Sequence, residues 1–388
     1  MPALDPTEVR RYRELFPVTR HWIYLNHAGV GPISRRVAEA VEAYNREALE
    51  HGYTRGAAWH KRIEEIRSAC AKLIGASASE LAFVKNTSHG LSLAARGLNL
   101  GEGDEVLIGQ LEFPANVYPW MALEKQGVVL KKIPASNGAL DLDRLADLMT
   151  ERTRVLSLST VAYGTGYRLP LADIGKLCRD LGVFFAVDAI QSLGAFPIDV
   201  ERDYVDFLSS DAHKWLLGHE GIGIVYVGKA WIDRIEPILL GWNSVVGCLD
   251  FDRIDFHLKA DAQRFEEGSP NGLSIYGLGG SVELLLEIGI ERIAARILGL
   301  TEILIAGLQK LDCILQTPLE PRLRSGIVSF RLPGDAGNRR LIQLERHLYE
   351  NGIYAAIRAG GLRLSPHFYN TEEEMDRVIE TIGEGLKR

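Results

Sequence analysis

Between about residues 80 and 230 the chain alternates short, almost uninterrupted apolar runs with stretches of helical periodicity. The runs read ELAFV, DEVLIGQ, VVLKKIP, TRVLSLSTV, VFFAVDA, YVDFLSS and GIGIVYV. Strands that are apolar on both faces belong to a mainly parallel sheet covered by helices on either side, so the predicted fold class is α/β. After RFEEGSPNGLSIYGLGG the pattern changes to long helices and then to a shorter α+β set. Thr371, with Glu374 one helical turn later, predicts a capped terminal helix. A chain of 388 residues exceeds what one core usually supports. The expected division is an N-terminal segment, 1–19, packing with the small domain, a large domain, 20–265, and a small C-terminal domain, 266–388.

Composition narrows the class of partner. Hydrophobic content of 46%, charged content of 24% and a net charge of −7 describe an ordinary globular chain, and the acidic balance argues against nucleic acid or an anionic membrane. No apolar run reaches the ~18 residues that cross a bilayer, and MPALDPTEVRRYRELFP lacks the apolar centre of a signal peptide, so a cytoplasmic location is expected. Cys70, Cys178, Cys248 and Cys313 are scattered, which suits neither a disulfide framework nor a zinc site. No metal is expected.

In open α/β sheets ligands gather at the carboxyl ends of the strands, which directs attention to Asp188, Gln191, His213 and Lys214. On their own, a buried carboxylate and lysine on neighbouring strands are as readily a structural ion pair as a site. The segment FVKNTSHGLSLAARGL runs from a strand through Asn86, Thr87 and Ser88 into an amphipathic helix, where free N–H groups and hydroxyls form a phosphate cradle. Ordinary capping leaves the same signature. Taken together, a cradle, a carboxylate and a lysine at sheet ends are the three handles of pyridoxal 5′-phosphate (PLP).

The segments YLNHAG, NTSHGLSLAA, LEFPANVYPW, AVDAIQSLGAFPIDV, SSDAHKWLLGHEGIGIVYV, RFEEGSPN and LRLSPHFYNTEEE occur in one order over nearly the whole chain. In them the chain resembles the fold-type I PLP enzymes of the class V aminotransferase and cysteine desulfurase group. The resemblance implies that Lys214 forms the internal aldimine with PLP, that Asp188 pairs with the pyridine nitrogen and that Gln191 meets the ring hydroxyl. It further implies that Phe113 stacks on the ring and that Thr87, Ser88 and His213 contact the phosphate. Ser269 matches a residue that reaches the phosphate of the other subunit, which implies a homodimer with shared sites. Arg363 matches the arginine that grips a substrate carboxylate, pointing to α-amino acids. Asn26 and His27, and also Tyr53 and Arg55, fall in segments that approach the substrate side in relatives.

Certain positions depart from that pattern. The stretch GIYAAIRAGGLRLSPHFYN has no cysteine where desulfurases carry theirs, which implies the isopenicillin N epimerase-like branch. Phe113 stands in place of a histidine and cannot carry a proton, so proton traffic is expected at Lys214, with Tyr163 or His27 as second groups. Tyr163 itself replaces an asparagine. Asp211 replaces a phosphate-contacting serine, a loss for which Ser210 is the nearest substitute. The expected reaction begins with an external aldimine of an L-amino acid, loss of its Cα proton and a quinonoid, and ends in transamination or epimerisation. The alternative is a β-eliminating C–S lyase acting on cysteine- or cystine-like substrates. A PLP-binding sensor without catalysis is the reading from another class, and the chain has no segment to serve as its reader.

Overall fold

The computed structural model describes residues 4–335 and 337–387; positions 1–3 of the expected N-terminal segment lie outside them. The apolar runs form one seven-stranded sheet: β1 (Leu81–Val84), β2 (Glu105–Gly109), β3 (Val129–Ile133), β4 (Thr153–Ser159), β5 (Phe184–Asp188), β6 (Phe207–Asp211) and β7 (Gly223–Val227). Their spatial order is β1-β7-β6-β5-β4-β2-β3. All neighbours are parallel except β7, which runs antiparallel to both β1 and β6. Successive side chains feed opposite faces: Ala82, Val84, Val106 and Ile108 enter one core, Leu81, Phe83 and Leu107 the other.

At the N-terminus α1 (Pro6–Arg13) is capped by Asp5 and followed by Phe16, which stacks on Tyr369 at 4.0 Å, while Arg13 pairs with Glu374. The helices α2 (Arg35–His51) and α3 (Gly56–Leu73) follow, and α4 (Thr87–Gly97) and α5 (Leu171–Leu181) connect strands of the sheet. Beyond the sheet come α6 (Gly272–Ile288) and α7 (Ile290–Lys310). A small antiparallel sheet, β8 (Ile314–Leu315), β9 (Val328–Arg331), β10 (Ala356–Arg358) and β11 (Gly361–Leu364), has the order β8-β9-β11-β10. The helices α8 (Arg339–Glu350) and α9 (Glu372–Leu386) pack with this second sheet, and Thr371 and Glu374 cap α9 reciprocally, as the sequence predicts.

The change of core falls later than residue 265. Ile275, Leu278, Val282 and Leu285 of α6 lie in the core of the large sheet, and Gly280 sits against the backbone of Arg36 in α2. The chain passes into the second core within α7, between Ile297 and Leu300. RFEEGSPN marks the end of strand–helix alternation, but helical periodicity does not say against which core a helix packs. Among the described residues no single helix is long and apolar enough to cross a membrane.

Residues 23–31 join the parts around the site. Ile23–Tyr24 pairs in parallel with Ile353–Tyr354, and Asn26 bridges Ser365, so residues 23–31 run beside the small sheet. The N–H of Gly31 then donates to the carbonyl of His213 at 2.6 Å.

Candidate active site

A cavity of about 550 Å³ opens at the carboxyl ends of β5 and β6. Lys214 enters it because β6, buried along its whole length, ends at Asp211 and leaves Ala212, His213 and Lys214 to cross the end of the sheet. Trp215 is fully buried, and its Nε1–H donates to Oε1 of Gln191 at 3.0 Å. On the other side the backbone of Gly31 presses so close that a methyl there would come within 2.4 Å of the Lys214 carbonyl. The lysine backbone is therefore clamped and its side chain is left facing the cavity, with Nζ 5.6 Å from the centre of the Phe113 ring. Burial pulls its ammonium down to about 8; Asp188 opposes this, and the cations Arg363 and Arg358 add to it.

Asp188 ends β5, almost fully buried, and accepts the Ile190 N–H at 3.0 Å. Burial pushes its carboxyl up to about 6, against the Ile190 hydrogen bond and the attraction of Lys214. Gln191 is oriented by two bonds, donating to the Ala28 carbonyl and accepting from Trp215.

The start of α4 lies directly on β6. A methyl at Gly90 would meet Oγ of Ser209 at 2.2 Å, so only glycine permits this approach. Asn86 caps the helix by accepting the His89 N–H, and Thr87 Oγ1 accepts the Asp211 N–H at 2.9 Å. Ser88 is exposed to the cavity. The first N–H groups of the helix have no partner within it, which makes this end a fitting place for an anion. Asp211 Oδ1 accepts the Ala212 N–H at 2.7 Å and lies 2.9 Å from Nδ1 of His213, too far off axis for a hydrogen bond. Ser210 is buried, and its hydroxyl donates to the Asp211 carbonyl, so it does not stand in for the missing serine.

Arg363 comes from β11 and is 2% exposed. It donates to the Tyr163 carbonyl at 2.8 Å and to Oδ1 of Asn26 at 3.5 Å, while its buried Nε has no partner among the described residues. Burial pulls the guanidinium down to about 10, helped by Arg358. A buried guanidinium without a carboxylate is arranged to receive one. Tyr163 meets Phe113 edge to face at 5.2 Å, and both line the cavity.

Not every expected residue is here. His27 is fully buried and turned away from the cavity, with Nδ1 2.7 Å from the Ser365 carbonyl and Nε2 2.6 Å from the Tyr369 hydroxyl. Asn26 bridges Ser365 and reaches the cavity, while His27, the first residue of the turn that follows, does not. Burial holds His27 well below the usual imidazole range, so it is not a second proton carrier. Ser269 is exposed and lines a separate cavity of about 380 Å³ with Lys85, His89 and Glu267. Tyr53 and Arg55 are exposed outside the site, with the Tyr53 hydroxyl 3.0 Å from His60.

The structure adds residues the sequence reading passed over. Tyr24, Val30, Tyr354 and Arg358 line the cavity. Glu112, just before Phe113, accepts from Ser159 N–H at 2.8 Å, Ser159 Oγ at 2.5 Å and Asn116 Nδ2 at 2.9 Å, tying the Phe113 loop to the end of β4. Burial pushes its carboxyl up to about 7.

This arrangement of a desolvated amine, a buried carboxylate and an anion cradle at the ends of parallel strands fits a PLP site. Residues 23–378 match the aminotransferase class-V family, and the chain belongs to that family. It is 30% identical over 391 residues to a probable cysteine desulfurase of Methanothermobacter thermautotrophicus, covering 96% of each chain. Its fold matches the apo cysteine desulfurase of Thermococcus onnurineus NA1 with a TM-score of 0.89 and 27% identity over 100% of both chains. It also matches the cystine C–S lyase C-DES, solved in complex with its reaction product cysteine persulfide, with a TM-score of 0.88, 25% identity and coverage of 95% and 99%. A mutant of C-DES has been solved with glycine covalently linked to the PLP cofactor. The chain is thus a fold-type I enzyme of class V, and PLP is its cofactor.

Proposed function

We propose that this enzyme is a β-eliminating C–S lyase that cleaves cysteine- or cystine-like L-amino acids to a thiol-bearing fragment, pyruvate and ammonia. The single observation that carries the reading is the pairing of one desolvated amine, Lys214, with a Phe113 ring that carries no proton. Bound PLP supplies an electron sink for the carbanion formed at Cα.

The protein's own groups do the rest. Lys214, Asp188, Thr87, Ser88 and His213 would hold the cofactor, and Gln191 and Phe113, which line the same cavity, would be further contacts to it. Arg363 takes the substrate carboxylate, with Asn26 and Tyr163 fixing the guanidinium from either side. Lys214 removes the Cα proton; a thiolate on the β-carbon is a good leaving group and needs no strong acid at the phenylalanine side. Water completes the balance: R–S–CH₂–CH(NH₃⁺)–CO₂⁻ plus water gives R–SH, pyruvate and ammonium. Epimerisation requires proton delivery from both faces, which the Phe113 position does not offer. Transamination needs only one base, so it is the outcome that the experiment must exclude.

The relatives named cysteine desulfurases do not define the reaction here. The turn between β10 and β11 contains Ala359 and Gly360 and no cysteine, and no cysteine lines the cavity among the described residues. Cys248 contacts Asn243 outside the site. This supports the cysteine-free branch. The same reading includes a homodimer: Ser269 does not line the active-site cavity of its own chain, and the loop that precedes it exposes the apolar side chains Val246, Leu249, Phe251, Ile254 and Phe256.

The test is product analysis of PLP-loaded enzyme in D₂O. L-Cystine is expected to yield pyruvate and ammonia, and L-alanine to exchange its Cα proton without inversion. Appearance of D-alanine, or keto-acid-dependent amino transfer without pyruvate from cystine, would overturn the reading.

A further inference from the structure

Lys214 sits in the turn 212–218, whose backbone is tied down from separate parts of the chain. The Ala212 carbonyl accepts the Gly218 N–H at 2.9 Å, the His213 carbonyl the Gly31 N–H at 2.6 Å and the Lys214 carbonyl the Leu217 N–H at 3.1 Å. The Leu216 carbonyl accepts the Ser281 hydroxyl of α6. The remaining carbonyl, that of Trp215, lies 3.1 Å from Nε2 of His367, which follows β11. These ties hold a strained shape. Leu217 has a φ of 58°, in the left-handed region that a residue other than glycine keeps only where its surroundings impose it.

His367 is fully buried and does not line the cavity, so it acts on the site only through what it holds. Its neighbours fix its tautomer. Nδ1 accepts the Phe368 N–H at 2.9 Å and therefore carries no proton; a carbonyl can only accept, so Nε2 carries the hydrogen. The neutral ring satisfies both contacts, and burial keeps it neutral by pulling the imidazole down to about 4.

The Trp215 carbonyl depends on this one donor. Gly194 presses on it from another side, so closely that a methyl there would come within 2.4 Å of the oxygen. Among the described residues no other donor reaches it, and a buried carbonyl without a partner is costly. The Trp215 ring is itself tied to Gln191 and packs 5.6 Å from the His367 ring. Release of the carbonyl would thus be felt in the turn, one residue from Lys214.

We propose that His367 is a positioning residue for Lys214: its Nε2–H fixes the Trp215 carbonyl and keeps the turn 212–218 in the shape that presents the lysine amine to the cavity. The inference rests on the reading of Lys214 as the amine that takes PLP, and it extends that site to a residue outside the cavity.

His367→Gln and His367→Phe separate the hydrogen bond from the packing. Both lose the acceptor for the Phe368 N–H; glutamine still offers an N–H to the Trp215 carbonyl, whereas phenylalanine keeps a ring and offers none. The rate of PLP capture by apoprotein, followed by stopped-flow absorbance, is expected to fall about tenfold or more in His367→Phe and to stay near the wild-type rate in His367→Gln. Hydrogen exchange at the Leu217 and Gly218 amides of the apoprotein should quicken in His367→Phe alone. Propionate binding to the PLP-loaded protein, which reads Arg363 on the same segment, should be alike in all three proteins. Equal capture rates in His367→Phe and wild type, or equal losses in both variants, would overturn the role of His367 and leave Lys214 standing. A matching loss of propionate affinity in His367→Phe would also overturn it, because a merely structural role predicts that loss. If His367→Phe does not fold, the wild-type apoprotein decides: Leu217 and Gly218 amides as slow to exchange as those of β6 support a held turn, and fast exchange there contradicts one. Borohydride fixation of PLP on a lysine other than Lys214 would overturn the reading of Lys214 and this role with it.

Discussion

Nδ1 of His213 lies 2.9 Å from the Asp211 carboxylate, on the residue before Lys214. The aspartate stands where a serine was expected to meet phosphate, and its charge is directed instead at the imidazole and the Ala212 N–H. A negative group can thus sit near the cradle because its oxygens are turned to the ring that faces the cavity. Asp211→Ala is expected to remove the carboxylate beside the ring and weaken PLP binding about tenfold, about 1.4 kcal/mol. Equilibrium titration of apoprotein with PLP measures this; unchanged affinity would show that His213 is oriented by other contacts.

Only the neutral amine of Lys214 is nucleophilic, and burial places its titration at about 8 rather than 10.5. The rate of PLP capture by apoprotein should climb about tenfold per pH unit below that value and level off above it. Stopped-flow absorbance gives the profile. A plateau reached only above pH 10 would mean that the amine is not desolvated, and borohydride fixation of PLP on another lysine in Lys214→Ala protein would move the attachment point altogether.

Arg363 is a buried cation held by a carbonyl and an amide. Its removal should therefore have opposite effects on stability and on function. Arg363→Leu is expected to stabilise the apoprotein by about 1 kcal/mol or more, because an uncompensated buried charge is lost. It should weaken amino-acid binding by about 1.5–3 kcal/mol, roughly 10- to 150-fold. Melting temperature and spectral titration separate the two; a destabilised variant with normal affinity would reverse the assignment.

Glu112 predicts a pH dependence of stability. Folded, its carboxyl keeps a proton up to about pH 7; unfolded, only to about 4.5. Across that window the folded chain binds more protons, so this group's contribution falls as pH rises. In Glu112→Gln that fall is absent, and the difference in urea midpoint between variant and wild type should move in the variant's favour from pH 5 to pH 8. A difference that does not change with pH would place the titration elsewhere.

Much of the fold was legible because apolar runs bounded by turns report strands directly, and all seven runs became strands of one sheet. Asp188 and Lys214 were legible as cavity residues because Asp188 ends such a run and Lys214 follows one by three residues. His27 was misjudged because LNHAG does not say which of its residues turns into the core: His27 begins a turn and is held by Ser365 and Tyr369, far along the chain. Arg358 was passed over because its place depends on the register of a tight turn; the signal was available in the spacing of two arginines across Ala359 and Gly360. Glu112 was invisible for another reason: its partner Ser159 meets it only when β4 lies beside β2.

The central claim is that Lys214 acts as the single base and that the β-substituent leaves. Its most direct test is one turnover of PLP-loaded enzyme with L-cystine and no keto acid, quenched and assayed for cofactor form and pyruvate. The account predicts pyruvate release with the cofactor recovered as the aldehyde. Stoichiometric conversion of the cofactor to pyridoxamine phosphate, with no pyruvate from the β-carbon, would contradict it and make the enzyme a transaminase.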